Sequence, residues 1–236
     1  MKLPPSAKKA ITRHISRAVE RLDPARYHQE PVYVAALFAR LDQVVYEGRD
    51  LTIEFKSTVV DDRGPRSAES VWGADFGIVA MVRTLGESVA KAAIGQAKRG
   101  NIGSLVGVER ERFRAQVIKM ERATTATLAL EVPTIAGELP QIRQVFSREI
   151  PLSPDKISAT HLYNDLIFPR DLREPSVILG GRLPLDDYIC RELIYCLHGD
   201  RRQSFVQALE SSTLATLSIN VSGRIAEQAN EADEAR

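Results

Sequence analysis

Apolar positions along this chain recur with two periods, and the switches between them mark out its elements. Ile11, Ile15, Ala18, Val19 and Leu22 repeat at helical spacing, with basic residues on the remaining faces. Pro4-Pro5-Ser6 opens that helix, with Ser6 as the expected N-cap, and Asp23-Pro24 closes it. A second stripe of Val34, Leu37, Phe38, Leu41 and Val45 predicts a helix over about 31–45. Leu51, Ile53 and Phe55 then alternate with Thr52, Glu54 and Lys56, so 51–60 reads as a strand. Asp61-Asp62-Arg63-Gly64-Pro65 is the turn that ends it.

The stretch from Glu69 to Arg99 organises the middle of the chain. GADFGIVAMV and KAAIGQAKR are arms of small and apolar residues on either side of Gly86-Glu87, which predicts an antiparallel hairpin. Symmetric closure on Gly86-Glu87 sets Asp75 opposite Lys98 and Gln96 opposite Gly77. Asp75, Gln96 and Lys98 then share one face at the open end, and an even slip of register would leave them there. An acid, an amide and a lysine on one sheet face are costly to bury unless they pair or bind an ion. The same residues also read as a solvated strand end with an ordinary Asp-Lys pair.

After a break at Gly100–Gly103, residues 105–122 read as a helix. Val106, Phe113, Val117 and Met120 form its narrow apolar arc, and Gln116 sits at the edge beside Arg112 and Lys119. Thr124–Val132 predicts a buried strand beside the hairpin, reached through a crossover. Residues 141–150 fit a strand or a short helix. A proline-punctuated stretch comes next, and its His161 is a lone histidine among apolar residues. Residues 185–197 and 203–210 predict helices, the first started by Asp186 or Asp187 and ended by Gly199. Residues 213–221 predict a strand, and 224–236 a polar, fraying tail.

At 236 residues, 44% hydrophobic and 27% charged, the chain suits one elaborated domain over 1–223, with a core at about 31–132 and a C-terminal elaboration at 133–223. No apolar run is long enough to span a bilayer, and MKLPPSAKKA leads into a charged helix rather than a secretory leader. Cys190 and Cys196 read as buried free thiols, and the protein as cytoplasmic with no membrane partner. A net charge of +1 excludes a generally basic nucleic-acid binder, so any phosphate-binding surface must be a local patch. Residues 1–30 and 98–122 are rich enough in Lys and Arg to supply one, and each also reads as a solvated helix face.

Asp75 followed by Gln96-Ala97-Lys98 at the end of the next strand resembles the restriction-endonuclease-like superfamily, the PD-(D/E)XK nucleases, in its Gln-x-Lys branch. The resemblance covers roughly residues 50–131. It implies an α/β (α+β) fold with a central mixed sheet flanked by helices, carrying N-terminal helices and a C-terminal elaboration. It also implies Mg²⁺, with Mn²⁺ as substitute, held by Asp75, Gln96 and the Ala97 carbonyl. Glu69 is the nearest acid to complete the set, with Glu30 and Glu54 as reserves. Lys98 becomes the catalytic lysine, and Arg99, Arg112, Gln116 and Lys119 become candidate nucleic-acid contacts. The implied activity is hydrolysis of phosphodiester bonds, of DNA in a bacterial defence setting, by a homodimer or with a partner subunit. The neutral Gln96 leaves open an inactive relative that binds nucleic acid or a partner protein. A structural subunit that assembles through the region after Pro133 is a further alternative.

Overall fold

The computed structural model describes residues 3–58, 68–84, 88–147, 177–195 and 197–223. His161, the Gly86-Glu87 turn, Cys196 and the tail lie outside these residues, as do the turn at Asp61–Pro65 and the side chain of Glu69.

The protein is an α+β molecule built on a mixed sheet with helices on both faces. Helix α1 (Pro5–Glu20) is followed by a 3₁₀ turn (Pro24–Arg26) and by α2 (Glu30–Leu41). Strands β1 (Gln43–Glu47) and β2 (Leu51–Thr58) come next, then a short helix α3 (Ala68–Trp72). The hairpin is β3 (Phe76–Arg83) and β4 (Ser88–Arg99). Helix α4 (Gly107–Ala123) crosses to β5 (Thr127–Val132), which leads to β6 (Gln141–Ser147). Strands β7 (Val177–Leu179) and β8 (Leu183–Pro184) precede α5, whose opening turn (Leu185–Asp187) continues as a π-helix (Tyr188–Leu193). Helix α6 (Gln203–Glu210) and β9 (Ala215–Gly223) complete the described chain.

The strands lie in the order β1-β2-β9-β3-β4-β5-β6-β7, with β8 paired to β6. The last strand is therefore central. It runs antiparallel to β2 and parallel to β3, between two strands that are near neighbours in sequence. β4 and β5 are parallel, as the crossover through α4 requires.

Alternation along the strands divides the core in two. Phe76, Ile78, Ala80, Ala93 and Ala97 face α1, α2 and α5. Val79, Ala92, Ile94 and Ala129 face α4 and α6, where Phe113, Val117, Met120, Phe205 and Leu209 cover them.

Three local expectations change. Pro5 takes the first helical position of α1, so Ser6 lies inside the helix and its hydroxyl is 3.0 Å from Tyr46 Oη rather than capping. The second helix stops at Leu41, and Val45 belongs to β1, where the pairing with β2 is available. The helix expected over 185–197 is mostly π-helical, with Ile194 N–H donating to Ile189 O five residues back, at 3.0 Å.

Candidate functional site

The site is assembled where the loop after α3 meets the end of β4. Phe76 pairs with Gly95 and Arg83 with Ser88, a register two residues away from the one expected for symmetric closure on Gly86-Glu87. Asp75 therefore lies beside Gln96, not opposite Lys98. The shift is by two residues, so Asp75, Gln96 and Lys98 keep a common face, the one covered by α4 and α6.

Hydrogen bonds fix this arrangement. Asp75 N–H donates to Gly95 O at 2.8 Å, and Asp75 Oδ2 accepts from Ala97 N–H at 2.9 Å. The carboxylate is thus held against β4 by a charge-assisted bond although it is nearly buried. Gln96 is fully buried, and its Nε2 donates to Gly73 O at 2.8 Å. With the amide nitrogen so committed, Gln96 Oε1 is a buried acceptor with no hydrogen-bond partner. Such an orphan costs on the order of 1–3 kcal/mol unless a water or a cation completes it. Ala97 N–H points to the β3 side, and the carbonyl of the same strand residue points to that side too.

Gly73 makes the close packing possible. Its φ of +72° is left-handed, and a Cβ there would meet Gln116 O at 2.8 Å and Lys119 Cβ at 2.9 Å. Lys119 Nζ donates to Ser70 O, which ties α4 down on α3. Gln116 and Lys119 therefore sit against the loop that presents Asp75. Arg112, one turn earlier on α4, is exposed.

Lys98 is half-buried and, among the described residues, forms no ion pair. Its register partner on β5 is Glu131, a buried acid that sequence reasoning missed. Glu131 Oε1 accepts from Ile102 N–H and Arg143 Nε, each at 3.0 Å, and Arg182 Nη2 lies 2.6 Å from Oε2. With its charge so matched, Glu131 braces the end of β4. The signal for it was an acid inside the apolar run LALEV.

Other expected residues fall elsewhere. Arg99 is on the opposite side of β4, where its guanidinium donates to Pro24 O at 3.2 Å and to Tyr27 O, so it anchors the α1–α2 connection and does not join the site face. Glu54 pairs with Lys56 Nζ at 3.1 Å and lies level with Met81 across β9, near the tip of the hairpin. It cannot reach Asp75. Glu30 starts α2, on the opposite face of the sheet. Glu69 lies in α3, just before Gly73. Asp186 accepts from Thr12 Oγ1 at 2.8 Å and Asp187 pairs with Lys8 and Arg191, so both join α5 to its surroundings.

A second buried polar cluster lies across the sheet. Lys91 is fully buried on β4, and Gly199 packs on its aliphatic stem. Beside it His198 Nδ1 is 2.8 Å from Tyr188 Oη. Burial, and then the charge of Lys91, push the His198 pKa down to about 4. Burial raises the Glu192 carboxyl, against Arg191 and Lys91, and holds Tyr188 far above its ordinary value. Next to this cluster, Asp200 closes a bridge to Ala92 and accepts from Thr124 and Arg202. Burial would raise Asp200, but those hydrogen bonds outweigh it and hold its carboxyl low.

As a cation site, the first constellation offers the Asp75 carboxylate, the orphaned Gln96 amide oxygen and the Ala97 carbonyl. These are hard oxygen donors of the kind Mg²⁺ takes while it keeps several waters. Among the described residues no group of three or more His, Cys, Asp or Glu could hold a metal, so a transition-metal site of that type is not formed by them. No helix among those residues is long and apolar enough to cross a membrane. Compared with family models, curated proteins and solved structures, the chain finds no match.

Proposed function

We propose that this chain is a metal-dependent nuclease of the restriction-endonuclease-like type, hydrolysing phosphodiester bonds of DNA. The observation that carries the reading is the buried Gln96 oxygen, left without a partner beside a carboxylate fastened to Ala97. Asp75 and Gln96 would hold Mg²⁺, which supplies charge neutralisation at the scissile phosphate and acidifies a bound water. Lys98, on the same face and without an internal counter-ion among the described residues, orients the attacking water and takes up or offsets the charge that develops on the phosphate. Gln116 and Lys119 hold the Gly73 loop, and with it Asp75, at its distance from β4. A defence setting follows from the resemblance and adds nothing to this chemistry.

The test is nicking of supercoiled plasmid with Mg²⁺ or Mn²⁺ against EDTA. Asp75→Asn keeps an oxygen to accept from Ala97 N–H and removes only the charge. Lys98→Ala removes the ammonium. Each should lower metal-dependent cutting at least 100-fold. Cutting that persists in both folded variants refutes the site.

The neutral Gln96 favours a second reading, a catalytically inactive subunit of the same fold that binds nucleic acid or a partner protein. In that case Mn²⁺ at millimolar concentration gives no Asp75-dependent heat of binding.

A further inference from the structure

Helix α1 and its C-cap carry Arg13, Arg17 and Arg21 at intervals of four residues, all exposed. Together with Arg40 of α2, His14 and Gln43 they line a groove of about 390 Å³, and no carboxylate is part of its lining. None of the four guanidiniums forms an ion pair with a described residue. His14 has no spare capacity, since Nε2 lies 2.9 Å from Leu41 O and Nδ1 accepts from Gln43 Nε2 at 2.8 Å. By contrast, a groove of about 510 Å³ at the hairpin tip balances Lys56 and Arg83 against Glu54 and Glu210.

Four like charges round one concavity repel each other unless an anion joins them. A net charge of +1 makes this concentration a local feature rather than a general basicity. The row also has a direction. Arg21 and Arg40 also line an adjoining groove of about 240 Å³ with Arg26, Tyr27 and the acids Glu20 and Asp23, and Asp23 pairs with Arg26 at 3.5 Å. Tyr27 O is the acceptor of Arg99, the residue after Lys98. The arginines thus lead to the same end of β4 as the candidate site, on the opposite face of the sheet, so a bound strand would pass round that end to reach Lys98.

We propose that this α1–α2 groove binds the sugar-phosphate backbone of the nucleic acid on which the site acts. From Arg13 to Arg21 the row rises roughly 12 Å along the helix axis. This is the axial length of about three to four nucleotide steps of one strand. Guanidiniums suit the task because each can take a phosphate with a bidentate fork. The proposal rests on the nuclease reading for its functional meaning, but its test does not require cleavage.

The experiment is fluorescence anisotropy with a labelled 20-base-pair duplex of mixed sequence, in EDTA, over a series of salt concentrations. Arg13→Gln/Arg17→Gln is compared with wild type and with Lys56→Gln/Arg83→Gln, which removes equal charge from the balanced groove. The first pair should weaken binding at least tenfold at low salt and reduce the slope of log K against log [salt] by about 1.8, at about 0.9 for each lost phosphate contact. The second pair should leave the slope unchanged. Equal slopes for wild type and the first pair, in folded protein, overturn the proposal. So does a poly-glutamate chain of the same charge that binds as tightly as the duplex. If slope and affinity fall as stated while no metal supports cutting, the groove stands and the nuclease reading falls. If cutting depends on Asp75 but the slope does not move, the reverse holds.

Discussion

Replacing Gln96 by Glu is the most informative single change, because it sets a carboxylate in a closed environment beside Asp75. Gln96 is fully buried, and its amide nitrogen donates to Gly73 O at 2.8 Å. A glutamate puts an oxygen where that donor was, so two oxygens face each other. The hydrogen bond is lost and the Gly73 carbonyl is left buried without it, which together cost about 1–3 kcal/mol. The charge, out of water, adds to this. Metal-free Gln96→Glu at pH 8 should therefore be about 3 kcal/mol less stable than wild type. For a chain of this size that is a fall in Tm of roughly 6–12 °C. Lowering the pH to 5 should recover much of the loss, since burial raises the new carboxyl's pKa and the protonated form can donate to Gly73 O. Mn²⁺ should recover it differently. A cation at about 100 times its Kd stabilises the folded state by about 2.7 kcal/mol, and the added charge should make the variant respond more than wild type. Differential scanning fluorimetry at both pH values, with Mn²⁺ and with EDTA, measures all three effects. If Gln96→Glu melts with wild type at pH 8 without metal, the buried donor argument is wrong. If it is destabilised but Mn²⁺ shifts it no more than wild type, the cradle is not a cation site.

Two further outcomes rest on the same geometry. His198, with its pKa pushed down to about 4 by burial and Lys91, is neutral when folded and takes a proton on unfolding near pH 6.5. Its contribution is thus fully present above pH 6.5 and lost as the pH falls toward 4. It amounts to about 2 kcal/mol between pH 8 and pH 5, so the unfolding free energy measured with urea should fall about 2 kcal/mol more between those pH values for wild type than for His198→Gln. Gly73→Ala combines a left-handed φ with a clash against Gln116 O, whereas Gly107→Ala, at φ +56° with nothing within 4 Å, meets the φ cost alone. Gly107→Ala should cost about 1 kcal/mol and Gly73→Ala at least twice that, with loss of plasmid nicking only in the latter; equal costs would show that α4 does not press on that loop.

The sequence by itself determined what depends on neighbours along the chain. Helical and alternating periods are local, so α1, α4, α6, β2 and the two hairpin arms could be placed from them. Alternation has period two, so the common face of Asp75, Gln96 and Lys98 survived a register that differs by two residues from symmetric closure. That same alternation puts Arg99 on the other face, where it binds Pro24 and Tyr27 rather than joining the site. Tertiary structure decided what depends on distant partners. The Asp75 carboxylate docks on Ala97 N–H, and this contact with the Gly95 pairing fixes which residue stands beside the acid. Strand β9 enters the centre of the sheet because β2 and β3 each leave an unpaired backbone edge, and nothing in either local pattern shows that a segment from the far end of the chain will fill it. The lone charges inside apolar runs, Lys91 and Glu131, were visible as letters. Their partners come from β6, α5 and the segments around them, and only the folded chain brings those groups within a hydrogen bond's reach or near enough for their charges to interact.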